Sequence, residues 1–404
     1  MSADRLPPPL GEPIPERFAM LGPLPTGTTV LEASAGTGKT FTIAALVARY
    51  VAEGIATMDE LLVVSFSRES TRELRERVRE RLVSVRAGLA RPQDVDARDS
   101  VLAHLANATP DEVGRRYRRV QVALADFDAA TVTTTHGFCQ QVLATLGTAG
   151  DHDPGAQLVE GISDLVREVA DDLYLRKWGV AGAGPPELTI EQFRSLALDV
   201  AVRDPGTLLV PDPAESDPSS PHGLRTRIAS AVRAEVEARK RRLHLFDYDD
   251  LLSRLDGTLR AQTTGSVAVQ RLRDRYRIVL VDEFQDTDPV QWSILRIPFH
   301  GHRTLVLIGD PKQAIYAFRG ADVHAYLSAR EVAGTVHTLP TSFRSDAALV
   351  AGLHAVFGGA ALGDPRIRVG PVEAVHRGRL VEVDAAPQPV RLRVLLRDGL
   401  AAPS

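Results

Sequence analysis

The chain has 404 residues, with 48 Lys and Arg against 52 Asp and Glu, a formal net charge of -4 and one cysteine. This length supports roughly two or three domains with substantial cores. The near-neutral balance excludes a basic footprint over the whole surface, so any nucleic-acid face must be local. The lone Cys139 excludes a disulfide framework and a cysteine zinc site, and no apolar leader or membrane-length apolar run is present, so the expectation is a cytoplasmic protein with no membrane partner.

Residues 1–20 carry Pro7, Pro8, Pro9, Pro13 and Pro15, the composition of an extended, poorly ordered arm. A short strand, Thr28 to Leu31, then runs into Glu32-Ala33-Ser34-Ala35-Gly36-Thr37-Gly38-Lys39-Thr40, with a helix beginning near Lys39. Small-residue loops of this kind wrap backbone N–H groups around phosphates, and the helix N-terminus adds the positive end of its dipole. In such a loop Lys39 reaches the β- and γ-phosphates of a nucleotide and the Thr40 hydroxyl ligates Mg²⁺. Ala33 stands where the strict pattern has glycine; Gly36 and Gly38 supply the close backbone approach.

The helix from Phe41 to about Glu53 carries Ile43, Leu46, Val47, Tyr50 and Val51 on one side, and Leu61 to Val64 forms the next buried strand, ending on Ser65-Phe66-Ser67. An amphipathic helix follows, with Leu74, Val78, Leu82, Val85 and Leu89 at helical spacing. Its other face, Arg72, Arg75 and Arg79, reads equally as a solvated charged surface. Ala130 to Thr134 is another β-rich run, closed by Thr135-His136-Gly137-Phe138-Cys139. Hydroxyls and a histidine at a strand end suit contact with a phosphate backbone, though a lone histidine is more often structural, and Cys139 reads as a small core residue.

From about Asp151 to Thr264 buried strands vanish and loops rich in Pro and Asp separate helical stretches, the clearest from Leu224 to Leu243 with its run Arg239-Lys240-Arg241-Arg242. This is the pattern of a mostly helical insertion, 151–264, inside an α/β sheet domain. The sheet resumes at Ile278-Val279-Leu280-Val281, which stops on Asp282-Glu283-Phe284-Gln285-Asp286. In an open α/β sheet the carboxyl ends of the strands form the ligand crevice. There, Asp282 can hold Mg²⁺ while Glu283 polarises an attacking water. Together with the phosphate loop, this pair specifies a nucleoside triphosphatase. A last buried strand, Thr304 to Ile308, leads into Gly309 to Asp322, where Gln313 is placed to sense the γ-phosphate. Tyr316 and Phe318 beside Arg319 offer ring faces and a cation to unpaired bases, or else belong to the core.

The motifs resemble those of UvrD-like superfamily 1 DNA helicases, and within them the RecB subunits of RecBCD helicase–nucleases (exodeoxyribonuclease V β chains). The resemblance runs from about residue 21 to at least Asp346 and rests on the phosphate loop, Thr135 to Gln140, Leu251 to Asp256, Asp282 to Asp288 and Gly309 to Asp322. It implies a RecA-like P-loop NTPase sheet in two parts, 21–150 and 265–330, interrupted by the helical insertion, and the start of a second RecA-like domain at 331–404. It implies ATP at Ala33 to Thr40, Mg²⁺ at Thr40 and Asp282, Glu283 as the activator of water, Gln313 as a coupler of γ-phosphate to DNA, and Arg344 as a γ-phosphate contact. Ser65, Phe66, His136, Tyr316, Phe318 and Arg319 fall on its single-strand contact motifs. It further implies a 3′-to-5′ helicase of double-strand-break repair acting on DNA ends, with RecC-like and RecD-like partners; a stand-alone UvrD-type or AddA-type helicase, or a fragment that binds ATP and DNA without unwinding, are the other readings. The family's later motifs and nuclease domain would lie beyond Ser404, so a fragment or truncated product is expected. Phe343 stands where the family often has Trp, and no glutamine precedes the loop to read adenine.

Overall fold

Short apolar runs rich in β-branched residues set the architecture, because a strand buried on both faces needs apolar side chains at successive positions. The structure, a computed structural model, describes residues 15–146, 157–159, 161–182, 184–203, 208–217, 220–315, 322–378 and 389–390. In chain order its first part is β1 (Glu16–Arg17), β2 (Thr28–Ala33), α1 (Lys39–Ala52), β3 (Leu61–Ser65), α2 (Arg68–Ala90), α3 (Ser100–Ala106), α4 (Pro110–Ala125), β4 (Thr131–Thr134) and α5 (Thr135–Leu146). The middle holds β5 (Gln157–Leu158), α6 (Ser163–Trp178), α7 (Ile190–Leu198), α8 (Pro221–Arg242), β6 (Leu245–Phe246), α9 (Tyr248–Arg260) and α10 (Gly265–Arg275). Next come β7 (Ile278–Val281), α11 (Pro289–Phe299), β8 (Thr304–Gly309), α12 (Val323–Val332) and β9 (Thr335–Leu339), then β10 (Thr341–Asp346), α13 (Ala347–Phe357), β11 (Ala361–Leu362), β12 (Asp364–Arg368) and β13 (Glu373–His376).

Seven strands form one sheet in the order β1-β9-β2-β8-β7-β3-β4, every pairing parallel. Parallel neighbours need crossover connections, so helices cover both faces. Successive strand residues point to opposite faces. Leu31 and Val63 accordingly join Ile43, Leu46, Leu74, Leu82 and Val120 from α1, α2 and α4. Their neighbours Val30 and Leu62 face the other way, onto Phe138, Leu255, Trp292 and Tyr326 from α5, α9, α11 and α12. The parallel arrangement brings the C-terminal ends of β2, β3, β7 and β8 to one edge, where the phosphate loop and the carboxylates sit.

Helices α6, α7 and α8 close over a separate core that includes Ile162, Val166, Phe193, Leu224 and Val232. The basic run at the end of α8 is split, with Arg241 and Arg242 exposed and the other two drawn inward. Lys240 is buried, with its ammonium donating to Glu237, Asp247 and Asp250, while Arg239 pairs with Asp172 and Glu235 and Arg242 with Glu235. The arginine face of α2 is likewise partnered: Arg72 pairs with Glu76 and Arg75 with Asp128, and the Arg75 and Arg79 guanidiniums lie over the Phe127 ring.

Two strands of the seven-stranded sheet sit where the sequence suggested none, and the short strands β5 and β6 pair inside the stretch expected to be helical. β1 lies within the proline-rich stretch and pairs with β9, and β9 adds to the same sheet beside β2 although it follows residue 330. β9 is Thr-Val-His-Thr-Leu with its side chains half-buried or exposed, so it lacks the apolar run that marks the inner strands. Residues 1–14 of the arm lie outside the described residues.

Candidate active site

β2 ends in the loop 34–38, and two glycines shape it: Gly36 has φ 76 and Gly38, which caps α1, has φ 85. This left-handed region strains residues with a side chain. Thr37 is buried and folds back, its hydroxyl donating to the Ser34 carbonyl at 2.8 Å. Ala33 is buried at the strand end; Ser34 and Thr40 are half-buried and Ala35 is exposed. α1 begins at Lys39, so the helix N-terminus and its free N–H groups open onto the loop.

Lys39 reaches across the sheet edge, its ammonium 2.5 Å from Glu283 Oε2. Glu283 itself has φ 51, a strained conformation for a residue with a side chain, held where β7 breaks into a short turn. Its neighbour Asp282 is buried at the end of β7, with backbone N–H donating to the Val64 carbonyl at 2.8 Å. One carboxylate oxygen of Asp282 is buried without a hydrogen-bond partner. Burial pushes this carboxyl up to about 7, with the Glu283 charge adding and Lys39 opposing. A carboxylate held in that state calls for a cation. The unpartnered carboxylate oxygen of Asp282 fits Mg²⁺, a hard cation that takes oxygen ligands, and Thr40 in the first turn of α1 carries a second oxygen of the right kind.

Gln313 is placed at the end of β8, its amide donating to Asp310 Oδ2 at 2.7 Å. Burial works to raise the Asp310 carboxyl, but the charge and hydrogen bond of Lys312 and the Gln313 amide outweigh it and hold it below the usual range. Arg344 comes from β10, which the Phe343 N–H ties to the Gly36 carbonyl at 2.8 Å. A methyl group at Gly36 would meet Arg344 Cβ at 2.6 Å. Lys39, Asp282, Glu283, Gln313 and Arg344 are thus brought to one edge of the sheet around the phosphate loop.

Ser65, Phe66 and His136 gather at the adjacent ends of β3 and β4, where Ser65 pairs in register with Thr134. The Ser65 hydroxyl is buried without a hydrogen-bond partner. The His136 ring stands edge-on to Tyr248 at 5.1 Å, and the Tyr248 hydroxyl accepts from Arg68 at 2.9 Å. Burial lowers the His136 imidazole below its ordinary value, against the pull of Asp288. Tyr316, Phe318 and Arg319 lie outside the described residues. Cys139 is fully buried, and burial pushes its thiol up.

The chain matches the UvrD/REP helicase N-terminal domain over residues 16–333. It belongs to that helicase family. UvrD-type helicase domains are RecA-like P-loop folds, and the parallel sheet with its phosphate loop is this family's α/β architecture. The RecBCD enzyme subunit RecB of Mycolicibacterium smegmatis is 50% identical over 94% of the chain, and RecB of Escherichia coli K12 is 29% identical over 82%. The chain spans only 34% and 38% of those relatives' lengths. The ATP-dependent DNA helicase UvrD2 of Mycobacterium tuberculosis is 27% identical over 95% of the chain and 50% of its own length. No helix among the described residues is long and apolar enough to cross a membrane.

Three features of this UvrD-type site escape sequence reasoning. Phe41 and Phe343, both more than half exposed, flank Gly38 and give an apolar shelf beside the phosphate loop. Exposure of a large ring is not legible in a motif. Glu32, at the end of β2, pairs with Arg330 of α12 at 3.0 Å, and burial raises its carboxyl although Arg330 opposes. The third is Gln285, inside the carboxylate motif, whose amide donates to Glu283 Oε2 at 2.8 Å.

Proposed function

We propose that the chain is the ATP-driven motor portion of a RecB-like DNA helicase subunit, coupling ATP hydrolysis to 3′-to-5′ movement along single-stranded DNA. The observation that carries this reading is the meeting of Lys39 with the strand-end pair Asp282 and Glu283, with Arg344 seated against Gly36. Lys39 would release Glu283 and turn to the β- and γ-phosphates when ATP enters. The loop N–H groups and the start of α1 would hold the phosphates. Mg²⁺, held by Thr40 and Asp282, would neutralise phosphate charge. Glu283 would then accept the proton of the attacking water, and Arg344 would contact the γ-phosphate from β10.

In this reading the first motor domain is the seven-stranded sheet with its helices, which takes in α9, α10 and β9 and so reaches past the expected limits of 264 and 330. The insertion is the chain from about 151 to the end of α8, and β10 opens the second domain. Ser65, Phe66 and His136 would meet the strand, with Tyr316, Phe318 and Arg319 as stacking and phosphate contacts. The setting would be cytoplasmic, at DNA ends, with RecC-like and RecD-like partners, in double-strand-break repair. A stand-alone UvrD-type helicase is the second reading, favoured by the similarity to UvrD2. ATP turnover by the wild-type chain, with and without single-stranded DNA and beside Lys39→Ala, tests the proposal. DNA-stimulated turnover that Lys39→Ala abolishes is expected; turnover unaffected by that change overturns it. Association with RecC-like subunits against unwinding without partners separates the two readings.

A further inference from the structure

We propose that Gln285 is a positioning residue that makes the water-activating carboxylate answer to the loop after β8. The inference rests on the reading of Glu283 as the base. Gln285 is buried, and both ends of its amide are engaged. Its nitrogen donates to Glu283 Oε2 at 2.8 Å, the same oxygen that Lys39 holds, and more weakly to Asp286 Oδ2 at 3.4 Å. Its oxygen accepts from the Asp310 backbone N–H at 2.9 Å. Asp310 in turn accepts from the Lys312 N–H and ammonium and from the Gln313 amide.

Gln313, Asp310, Gln285 and Glu283 are thus one unbroken chain of hydrogen bonds. It joins the end of β8 to the end of β7. Room for the amide depends on a glycine: a methyl group at Gly309 would lie 2.6 Å from Gln285 Oε1. A shift of the 310–313 turn must therefore either drag the amide or break its bond. Either event changes the donors on Glu283. A buried amide with its nitrogen and its oxygen both engaged cannot move freely, because each unmade bond leaves a desolvated polar group. The turn leads directly into the segment proposed to touch DNA, so the base is aligned when that turn is set. A misplacement of about 1 Å in such a group costs on the order of a hundredfold in rate.

The test uses the full chain with Gln285→Leu, which keeps the bulk and removes all three bonds. Gly309→Ala serves as an independent way to displace the amide. Both variants should keep ATP affinity within about twofold, while DNA-stimulated kcat falls roughly tenfold or more and the ratio of stimulated to DNA-free turnover falls with it. An equal fall in both kcat values would mean a merely structural role and overturns the inference, as does undiminished stimulation. Amide exchange at Asp310 gives a readout that needs no turnover. In the wild type a non-hydrolysable ATP analogue with Mg²⁺ should change it, and in Gln285→Leu it should not; equal responses overturn the link. A wild-type chain without DNA-stimulated turnover defeats the proposed function instead, and the exchange result still decides the link.

Discussion

Glu283 carries opposing demands: it is strained in the backbone, bonded by Lys39 and Gln285, and in the proposed function it takes a proton. Glu283→Gln keeps the shape and both neighbours but cannot accept that proton. Nucleotide binding should persist while single-turnover hydrolysis falls by roughly 10²–10⁴; an unchanged rate would put the base elsewhere. Further along the same turn, Asp286 is buried with one oxygen unpartnered. Burial, with the Glu283 charge adding and Lys39 opposing, pushes its carboxyl up to about 6 from 3.8. An acid raised in the folded state binds its proton more tightly there than in the unfolded chain. Its stability contribution is complete below about pH 4 and is lost as the pH rises through about 6. The melting temperature of the wild type should therefore drop relative to Asp286→Asn between about pH 4 and about pH 7; parallel curves would reject the shift. The sequence showed Lys39, Asp282 and Glu283 plainly, because phosphate loops and strand-end carboxylates are local patterns. The bonds of Gln285 to Asp310 and of Glu32 to Arg330 join residues far apart in the chain, and no local spacing encodes them.

Among elements, legibility followed burial. β3, β7 and β8 are apolar runs, and the sheet places them side by side. Helix α4, which was not among the expectations, is capped by Thr109, whose hydroxyl accepts from the Glu112 N–H, with Pro110 at the first helical position. β9 gave little signal because it is only partly buried, and α13, though apolar in sequence, carries no buried residue among those described. The family resemblance alone pointed Arg344 at the phosphate site; the packing of β10 on Gly36 has no local signal, since it depends on what a glycine leaves empty. That contact separates two glycines with similar backbones. Gly27 has φ 63 and nothing within 4 Å of an added methyl group, whereas Gly36 has φ 76 and Arg344 in the way. Gly27→Ala should cost only the left-handed strain, about 1–2 kcal/mol, and leave nucleotide affinity intact. Gly36→Ala should add a collision that moves β10 and weaken ATP binding at least several-fold. Equal effects of the two changes on calorimetric ATP affinity would mean that β10 does not brace the loop.

At the scale of the whole molecule, the sheet and the helices α6 to α8 have cores with no residue in common, and a buried ion cluster lies at their junction. Its centre is Lys240, the last buried position of α8, whose ammonium donates to Asp250 at 2.6 Å, Glu237 at 3.1 Å and Asp247 at 3.2 Å. Burial works to lower the Lys240 ammonium, but the Asp250 hydrogen bond and the charges of Asp247, Asp250 and Glu237 outweigh it and raise it. Asp247 and Asp250 also cap the start of α9, each accepting the other's backbone N–H. One lysine therefore fastens the end of α8 to the first helix that returns to the sheet. Lys240→Ala would leave two carboxylates largely buried without their cation, a loss of about 3–5 kcal/mol. The two tryptophans report the two units separately, Trp178 at the end of α6 and Trp292 in the sheet core. With Trp292→Phe or Trp178→Phe isolating each signal, Lys240→Ala should move the Trp178 urea transition to lower concentration by roughly 1 M or more, given slopes of about 1–3 kcal/mol per molar. The Trp292 transition should move less. Coincident and unshifted transitions would show that the junction holds without its lysine.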